Sequence, residues 1–525
     1  MWGTLPDVLD RTILENRDKI AIIEGERQLT YSELGSLRNR VANALVGDGL
    51  VPGERVGLLM PNVLEFIPIQ HGIWAAGGVL VQMPARQTAN QFRATLTQTD
   101  ATTLVYHAQF DEAIAEILPD LPRMIRVIRV GSEVPAVHGA LAGTVPFDDF
   151  IAGAPGDRRP DVAIDESDEA YILFTSGSTG EPKGVVNSHF TWGHYSITAG
   201  LEIGDTRWGE IFAHGAPLTH YTQIFVIPTF IRGGTNVMLP GLDVDVLLGS
   251  IERYGVTATA VVPTIIYLLL DHPRRSEYDL SSLTTIIYAG APIAPERLRQ
   301  ALDVVGPIFI QAYAGTEPGY VSCLRKTDHR VDDQQALDRL ASAGRPLPFV
   351  QVSIQDEHDQ VLPVGSVGEI TTRQLGQMLS YVDASRNSEA LRDGQVHTGD
   401  IGRLDEDGFL YIVDRKKDLV VSGGFNVFPR QIEDALATHV SVAQSAVIGI
   451  PHEKWGEAVH AFVVLKAGAE TDAQTLIDHV KRALGSVAAP KEIEFVETLP
   501  VNPAGKVDKK ALRAPFWSDR VRQIS

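Results

Sequence analysis

A chain of 525 residues exceeds one ordinary hydrophobic core, so at least two domains are expected. Its composition, 44% hydrophobic and 21% charged without low-complexity tracts, is that of a soluble globular protein. A formal charge of −20 with no Lys/Arg block argues against a nucleic-acid partner, and the single Cys323 excludes a disulfide framework within the chain.

The start, MWGTLPDVLDRTI, carries acidic residues and no apolar core segment, unlike a signal peptide. The apolar run TATAVVPTIIYLLL is broken at Pro263 and falls short of a bilayer span. With one cysteine suggesting a reducing compartment, a cytoplasmic protein with no membrane span is expected. In chain order, LTYSELGSLRNRVANALVGDGL spaces its apolar residues as a helix and ends near Gly47 and Gly49. ERVGLLM follows as a strand, VLEFIPIQHGIWAAGG as a buried helix and VLVQM as another strand. TLVYHA, MIRVIRV and YILF repeat the pattern. This alternation predicts an α/β protein, with helix-covered sheets containing parallel pairs, and no internal repeat is evident.

Directly behind YILF stands FTSGSTGEPKG, residues 174–184. Its glycines permit a tight loop and a close backbone approach, while Thr175, Ser176, Ser178 and Thr179 supply hydroxyl donors and Lys183 a positive charge. Such a loop suits an anion with several oxygens, such as a triphosphate. It is not a Walker loop, because Pro182 precedes Lys183, Gly184 follows, and VVNSH reads as a second short strand rather than a helix. Further on, VTATAVVP, TTIIYAG and IFIQAY each end in a turn or a small-residue stretch. Loops at strand carboxyl ends line the ligand crevice of open α/β sheets, which makes YAGAP (288–292) and YAGTE (313–317) candidate walls. After about residue 340 the texture becomes β-rich, as in VQVSIQDEHDQVLPVGSVGEI. A domain boundary is expected at residues 414–417, within DRKKD. Beyond it, QIEDALATH and TLIDHVKRAL read as helices, AQSAVIGI and HAFVVLKA as strands, giving a small α+β domain.

The ordered series TYSEL, RVGLLMPN, FTSGSTGEPKG, APLTH, YAGAP, YAGTE, AGRP, VGEI, HTGD, GFLYIVDRKKD, SGGFNVFP, WGE and NPAGK covers residues 20–513. It resembles the adenylate-forming superfamily of acyl-CoA synthetases, luciferases and peptide-synthetase adenylation domains, and is most similar to bacterial fatty-acid and aryl-acid CoA ligases. The resemblance implies a large N-terminal α/β domain with a β-rich subdomain over residues 1–413. A hinge at 414–417 and a mobile C-terminal domain at 418–525 follow, the latter carrying a catalytic lysine. It implies ATP, Mg²⁺ and CoA as cofactors. The activity implied is AMP-forming activation of a carboxylic acid to an acyl-adenylate, followed by transfer to CoA.

By the same resemblance Thr175, Ser176, Gly177, Ser178, Thr179, Gly180 and Lys183 hold the ATP phosphates, and Gly290, Ala291, Pro292 and Tyr313 the adenine. Thr316 contacts the α-phosphate, Glu317 holds Mg²⁺, Asp400 grips the ribose, and Arg415 is a second ribose or phosphate contact. Lys417 is the hinge residue. Lys506 bridges the carboxylate and the α-phosphate as two anions are brought together, which is where a positive charge is needed. His220 lies near the carboxylate or the thioester half-reaction. The acyl pocket comprises His220, Thr222, Gln223, Ala289, Ala314 and Gly315, and Gly423 and Gly424 line the thiol tunnel.

The chain departs from the family pattern in that pocket. Thr219 replaces a usual aromatic, Thr222 and Gln223 stand where small glycine-rich turns are common, and Ala289 and Ala314 replace glycines. The extra methyls and the amide are expected to narrow or polarise the channel. SGGFNVFP and WGE, with the chain ending at WSDRVRQIS and so no carrier domain expected, favour a free thiol acceptor. Loading of a carrier protein, or activation of an unusual oxyacid or N–N bond formation, remain alternatives, and a homodimer is left open.

Overall fold

The computed structural model describes residues 3–131, 141–175, 182–202, 208–219, 221–290, 293, 295–422, 425–501 and 507–517. Ser176, Gly177, Ser178, Thr179, Gly180, His220, Ala291, Pro292, Gly423, Gly424 and Lys506 lie outside these residues.

An eight-stranded sheet forms around Val79–Gln82, which pairs in parallel with Arg55–Leu59 on one side and Glu169–Thr175 on the other. Val79–Gln82 is buried at every position, as expected where helices cover both faces of parallel strands. Thr103–His107 and Arg126–Val130 extend the sheet in parallel. Lys183–Ser188 returns antiparallel to Glu169–Thr175, and Ser380–Tyr381 pairs outside it. The predicted short strand therefore exists and begins at Lys183 itself, in register with Thr175.

A nine-stranded sheet runs parallel through Ile20–Glu24, Thr235–Met238, Ile211–His214, Ala258–Val261, Thr285–Tyr288 and Phe309–Gly315. Its edges are antiparallel: Arg27–Thr30 on one side, Gly319–Leu324 and Arg345–Pro346 on the other. Helix Tyr31–Gly47 starts where TYSEL predicts, at a capping box. The Thr30 hydroxyl accepts from the Glu33 N–H at 3.2 Å, and the Glu33 carboxylate accepts from the Thr30 N–H at 2.8 Å. Helix Phe66–Ala75 is buried along its whole length and shares one hydrophobic core with strands of both large sheets, which is why its sequence is apolar on all sides.

The β-rich segment forms a five-stranded antiparallel sheet of Gln351–Gln355, Gly368–Arg373, Gln395–Leu404, Leu391–Arg392 and Leu410–Arg415. It is tied to the rest, since Arg345–Pro346 and Ser380–Tyr381 belong to the two large sheets. Leu410–Arg415 stays in register with Gln395–Leu404 as far as the pair Asp400 and Arg415. Asp414 and Arg415, the first half of the expected connection, are thus strand, and the chain leaves this sheet over the single turn Lys416–Asp418. The last sheet comprises Val420–Ser422, Phe425–Val427, Val442–His452, Gly456–Leu465 and Glu492–Phe495. With helices Pro429–Ala437 and Ala473–Leu484 it has its own core around Val420, Ile432, Leu436, Val459 and Leu476.

Candidate active site

Side chains from three sheets come into contact here. Thr175 ends its strand in the eight-stranded sheet, just before the glycine-rich loop. Phe309–Gly315 carries Tyr313 near its carboxyl end and turns back at residues 316–318 into Gly319–Leu324. Gly319 has a φ of +77°, and a Cβ there would stand 2.6 Å from the Gly376 carbonyl oxygen, so only glycine closes this turn. The turn delivers Glu317, whose carboxylate accepts from the Thr175 hydroxyl at 3.3 Å and the Tyr381 phenol at 3.1 Å. Burial and the adjacent Glu317 push the Tyr381 pKa up, keeping that phenol a donor.

The third sheet supplies Asp400 and Arg415 from paired positions. The Tyr313 phenol donates to Asp400 Oδ2 at 2.7 Å, and Arg415 Nε lies 3.3 Å from Asp400 Oδ1. Burial, then Asp400, raises the Tyr313 pKa; Asp400 in turn holds the Arg415 guanidinium charged. The Asp400 N–H donates to the Thr398 hydroxyl at 3.1 Å, fixing the carboxylate's backbone. Thr316 is half-buried beside Glu317. Lys417 follows on the turn Lys416–Asp418, its pKa lowered by burial and by Arg415.

Lys183 pairs with Glu389, and its ammonium lies 5.2 Å from the centre of the Tyr381 ring. The hydrogen bond from Lys183 keeps Glu389 below its ordinary pKa. This lysine braces the strand flanking the loop. Sequence reasoning missed Tyr381 and Glu389, which lie far along the chain from the residues they touch and in no motif that marks them.

The residues expected at the acyl pocket are brought together only in part. Ala289 is buried at the end of Thr285–Tyr288, its N–H donating to the Val261 carbonyl at 3.3 Å, and Gly290 follows at φ +83°. Ala314 and Gly315 are half-buried at the mouth of the Tyr313 strand. Thr222 and Gln223 sit deeper, on the 3₁₀ turn Tyr221–Phe225. Asn236 Oδ1 accepts from His214 Nε2 at 2.7 Å, which leaves His214 Nδ1 to accept from the Thr222 hydroxyl at 2.9 Å. Burial lowers the His214 pKa to about 4, so it stays neutral. The Thr222 hydroxyl proton is therefore committed to the protein. Gln223 Nε2 donates to Gln70 Oε1, on the buried helix, at 2.8 Å. Asn62, from RVGLLMPN, clamps the strand leading here, donating to the carbonyls of His214 and Ala216 and accepting from the Leu218 N–H, each at 2.9 Å.

Among the described residues no group of three or more His, Cys, Asp or Glu side chains is gathered to hold a metal, and no helix is long and apolar enough to cross a membrane. Glu317, a lone carboxylate facing hydroxyl donors, has the chemistry to hold a Mg²⁺ ion that keeps water and phosphate oxygens as its other ligands.

Residues 9–382 match the model of the AMP-binding enzyme family, and residues 431–506 that of the AMP-binding enzyme C-terminal domain. The chain is 35% identical to a medium/long-chain-fatty-acid–CoA ligase, FadD8 of Mycobacterium tuberculosis, over 97% of this chain and 89% of the relative. It is 32% identical to ScoC of Streptomyces coeruleorubidus, a fatty acid–[acyl-carrier-protein] ligase, over 96% and 95% of the two chains. Among solved structures, the amide bond synthetase McbA of Marinactinospora thermotolerans superposes with a TM-score of 0.87 at 29% identity, covering 97% of this chain and 99% of that one. The chain thus belongs to the AMP-binding enzyme family, and it is an AMP-forming acid–thiol ligase of the acyl-CoA synthetase kind.

Proposed function

We propose that this enzyme joins a fatty or aromatic acid to ATP, forming an acyl-adenylate and pyrophosphate, and then passes the acyl group to the thiol of CoA with release of AMP. The observation that carries this reading is that the strand Phe309–Gly315 and its turn hold two contacts to the other sheets, Glu317 with Thr175 and Tyr313 with Asp400, the latter ion-paired with Arg415.

The paired Asp400 and Arg415 suit a ribose, the carboxylate accepting from its hydroxyls while the guanidinium donates. Tyr313 presents an aromatic face for the adenine, its edge anchored on Asp400. Thr175 and the glycine-rich loop donate to the phosphates, with Thr316 at the α-phosphate. Glu317 would hold Mg²⁺, which when bound supplies charge neutralisation to the phosphates. Lys506 brings its ammonium to the carboxylate and the α-phosphate, where negative charge concentrates in the transition state. Residues 1–413 form the adenylating domain and 418–525 a domain that rotates about Lys417 for thioester formation. The chain's single cysteine, the buried Cys323, fits a reducing, cytoplasmic setting.

The similarity to ScoC favours a second reading, in which the acceptor is the pantetheine thiol of a carrier protein. The test is pyrophosphate release across aliphatic and aromatic acids, followed by thioester detection with CoA or a carrier protein offered. Release with at least one acid and thioester with CoA are expected; release with none overturns the reading. Lys506→Ala should lose the adenylation rate by about a hundredfold or more while retaining ATP binding. Wild-type pyrophosphate release from that variant would remove the role assigned to Lys506.

A further inference from the structure

Gln70 and Gln223 are 0% and 1% exposed, and their amides meet where the buried helix Phe66–Ala75 faces the turn Tyr221–Phe225. One hydrogen bond joins them, from Gln223 Nε2 to Gln70 Oε1. Among the described residues Gln223 Oε1 and Gln70 Nε2 have no partner. Turning both amides over exchanges their roles but leaves the same surplus of one acceptor and one donor. On helix His189–Glu202, packed against the same turn, the Ser196 hydroxyl and the Trp192 indole N–H are also buried and have no partner among the described residues. Two apolar side chains in place of the glutamines would avoid this desolvation penalty altogether. A buried polar surplus of this kind suits a polar group that arrives with the ligand.

We propose that Gln70 and Gln223 are specificity-determining residues that read a hydroxyl group on the body of the acid, away from its carboxylate. The proposal rests on the acyl-CoA ligase reading above, and on Gln223 lying three residues beyond His220. A hydroxyl both donates and accepts, so it satisfies Gln223 Oε1 and Gln70 Nε2 together. A ketone satisfies only the donor, and a methylene neither. The order of preference is therefore hydroxy acid, oxo acid, plain acid. A site built to hydrogen-bond a substrate group rejects the analogue lacking it far more strongly than an apolar pocket rejects an added hydroxyl.

The experiment measures kcat/KM by pyrophosphate release for decanoic acid and its hydroxy and oxo derivatives, and for cinnamic acid and its para-hydroxy derivative. Wild-type enzyme, Gln70→Leu, Gln223→Leu and the double variant are compared. In at least one series the wild type should favour the hydroxy acid by about tenfold or more, and either leucine should cancel most of that preference, read as the ratio of kcat/KM for the hydroxy acid to that for the plain acid. The double variant should lose little more than either single one, since the amides act as a unit. Preference for the plain acid by the wild type in both series overturns the proposal, and needs no variant to fold. An unchanged preference in the variants also overturns it, leaving the pair a packing element or a seat for buried water. Absence of pyrophosphate release with every acid instead defeats the ligase reading itself.

Discussion

At the scale of single residues, the Tyr313 phenol decides more than its ring does. It donates to Asp400 at 2.7 Å, while Arg415 engages the other carboxylate oxygen, so Asp400 is held from two sides before any ligand arrives. Hydrogen bonds to charged groups contribute about 1.5–3 kcal/mol. Tyr313→Phe keeps the aromatic face but frees the carboxylate, and should raise the KM for ATP by about tenfold with little change in kcat. Asp400→Asn should cost more, because it weakens both the Tyr313 acceptor and the partner of Arg415. Steady-state kinetics with ATP varied check both, and an unchanged KM in each variant would remove Asp400 from the nucleotide site.

At the scale of elements, the connection between the third sheet and the last one is more constrained than its charged sequence suggests. Asp414 is buried and its carboxylate accepts from the N–H groups of Arg415 at 2.7 Å and Arg430 at 2.9 Å. Arg430 lies in the first turn of Pro429–Ala437, so a strand of one sheet caps a helix packed on the next. Asp418 pairs with Arg513 at 2.7 Å; burial alone would raise the Asp418 pKa, but Arg513 and Lys509 outweigh it and hold the carboxylate ionised. The rotation proposed above would be absorbed by the turn Lys416–Asp418. Lys417→Pro fixes φ there and restricts Lys416 as well. Pyrophosphate release should survive within a fewfold, while thioester formation falls by roughly tenfold or more. Equal loss of both half-reactions would place the pivot elsewhere.

At the scale of the whole molecule, burial leaves several histidines neutral in the core. Burial lowers His71 to about 3, and His189, His214 and His329 to about 4, from 6.5. A depressed pKa in the folded state means that the unfolded chain takes up the proton first. Their contribution is therefore fully present above pH 6.5 and is lost as pH falls towards 4, and towards 3 for His71. Each such group imposes a slope approaching about 1.4 kcal/mol per pH unit. Burial raises Asp414, Glu433 and Asp434, whose contributions run the opposite way, lost as pH rises through their shifted values. The urea midpoint should hold from pH 8 to 7 and drop between 6.5 and 5. Among the described residues His71 has no partner for either ring nitrogen and packs edge-on against Trp74, so His71→Leu should flatten that drop. An unaltered slope in the variant would mean that His71 is not part of the acid response.

What lay in the sequence is what depends on neighbours along the chain. Thr30 and Glu33 cap a helix three residues apart, and the glycine-rich segment joins two strands that pair directly, Thr175 with Lys183. The order of motifs identified the family because each is a local stretch with its own turn chemistry. The partnerships came from tertiary structure: Tyr313 with Asp400 across 87 positions, Tyr381 with Glu317 across 64, Lys183 with Glu389 across 206, and Gln70 with Gln223 across 153. DRKKD reads as a charged linker, yet pairing with Asp400 and Ile401 keeps Asp414 and Arg415 in a strand. Periodicity and turn residues report the energy of a segment with itself. Which segments lie side by side is set by strand order in the sheets, and no spacing along the chain encodes that order.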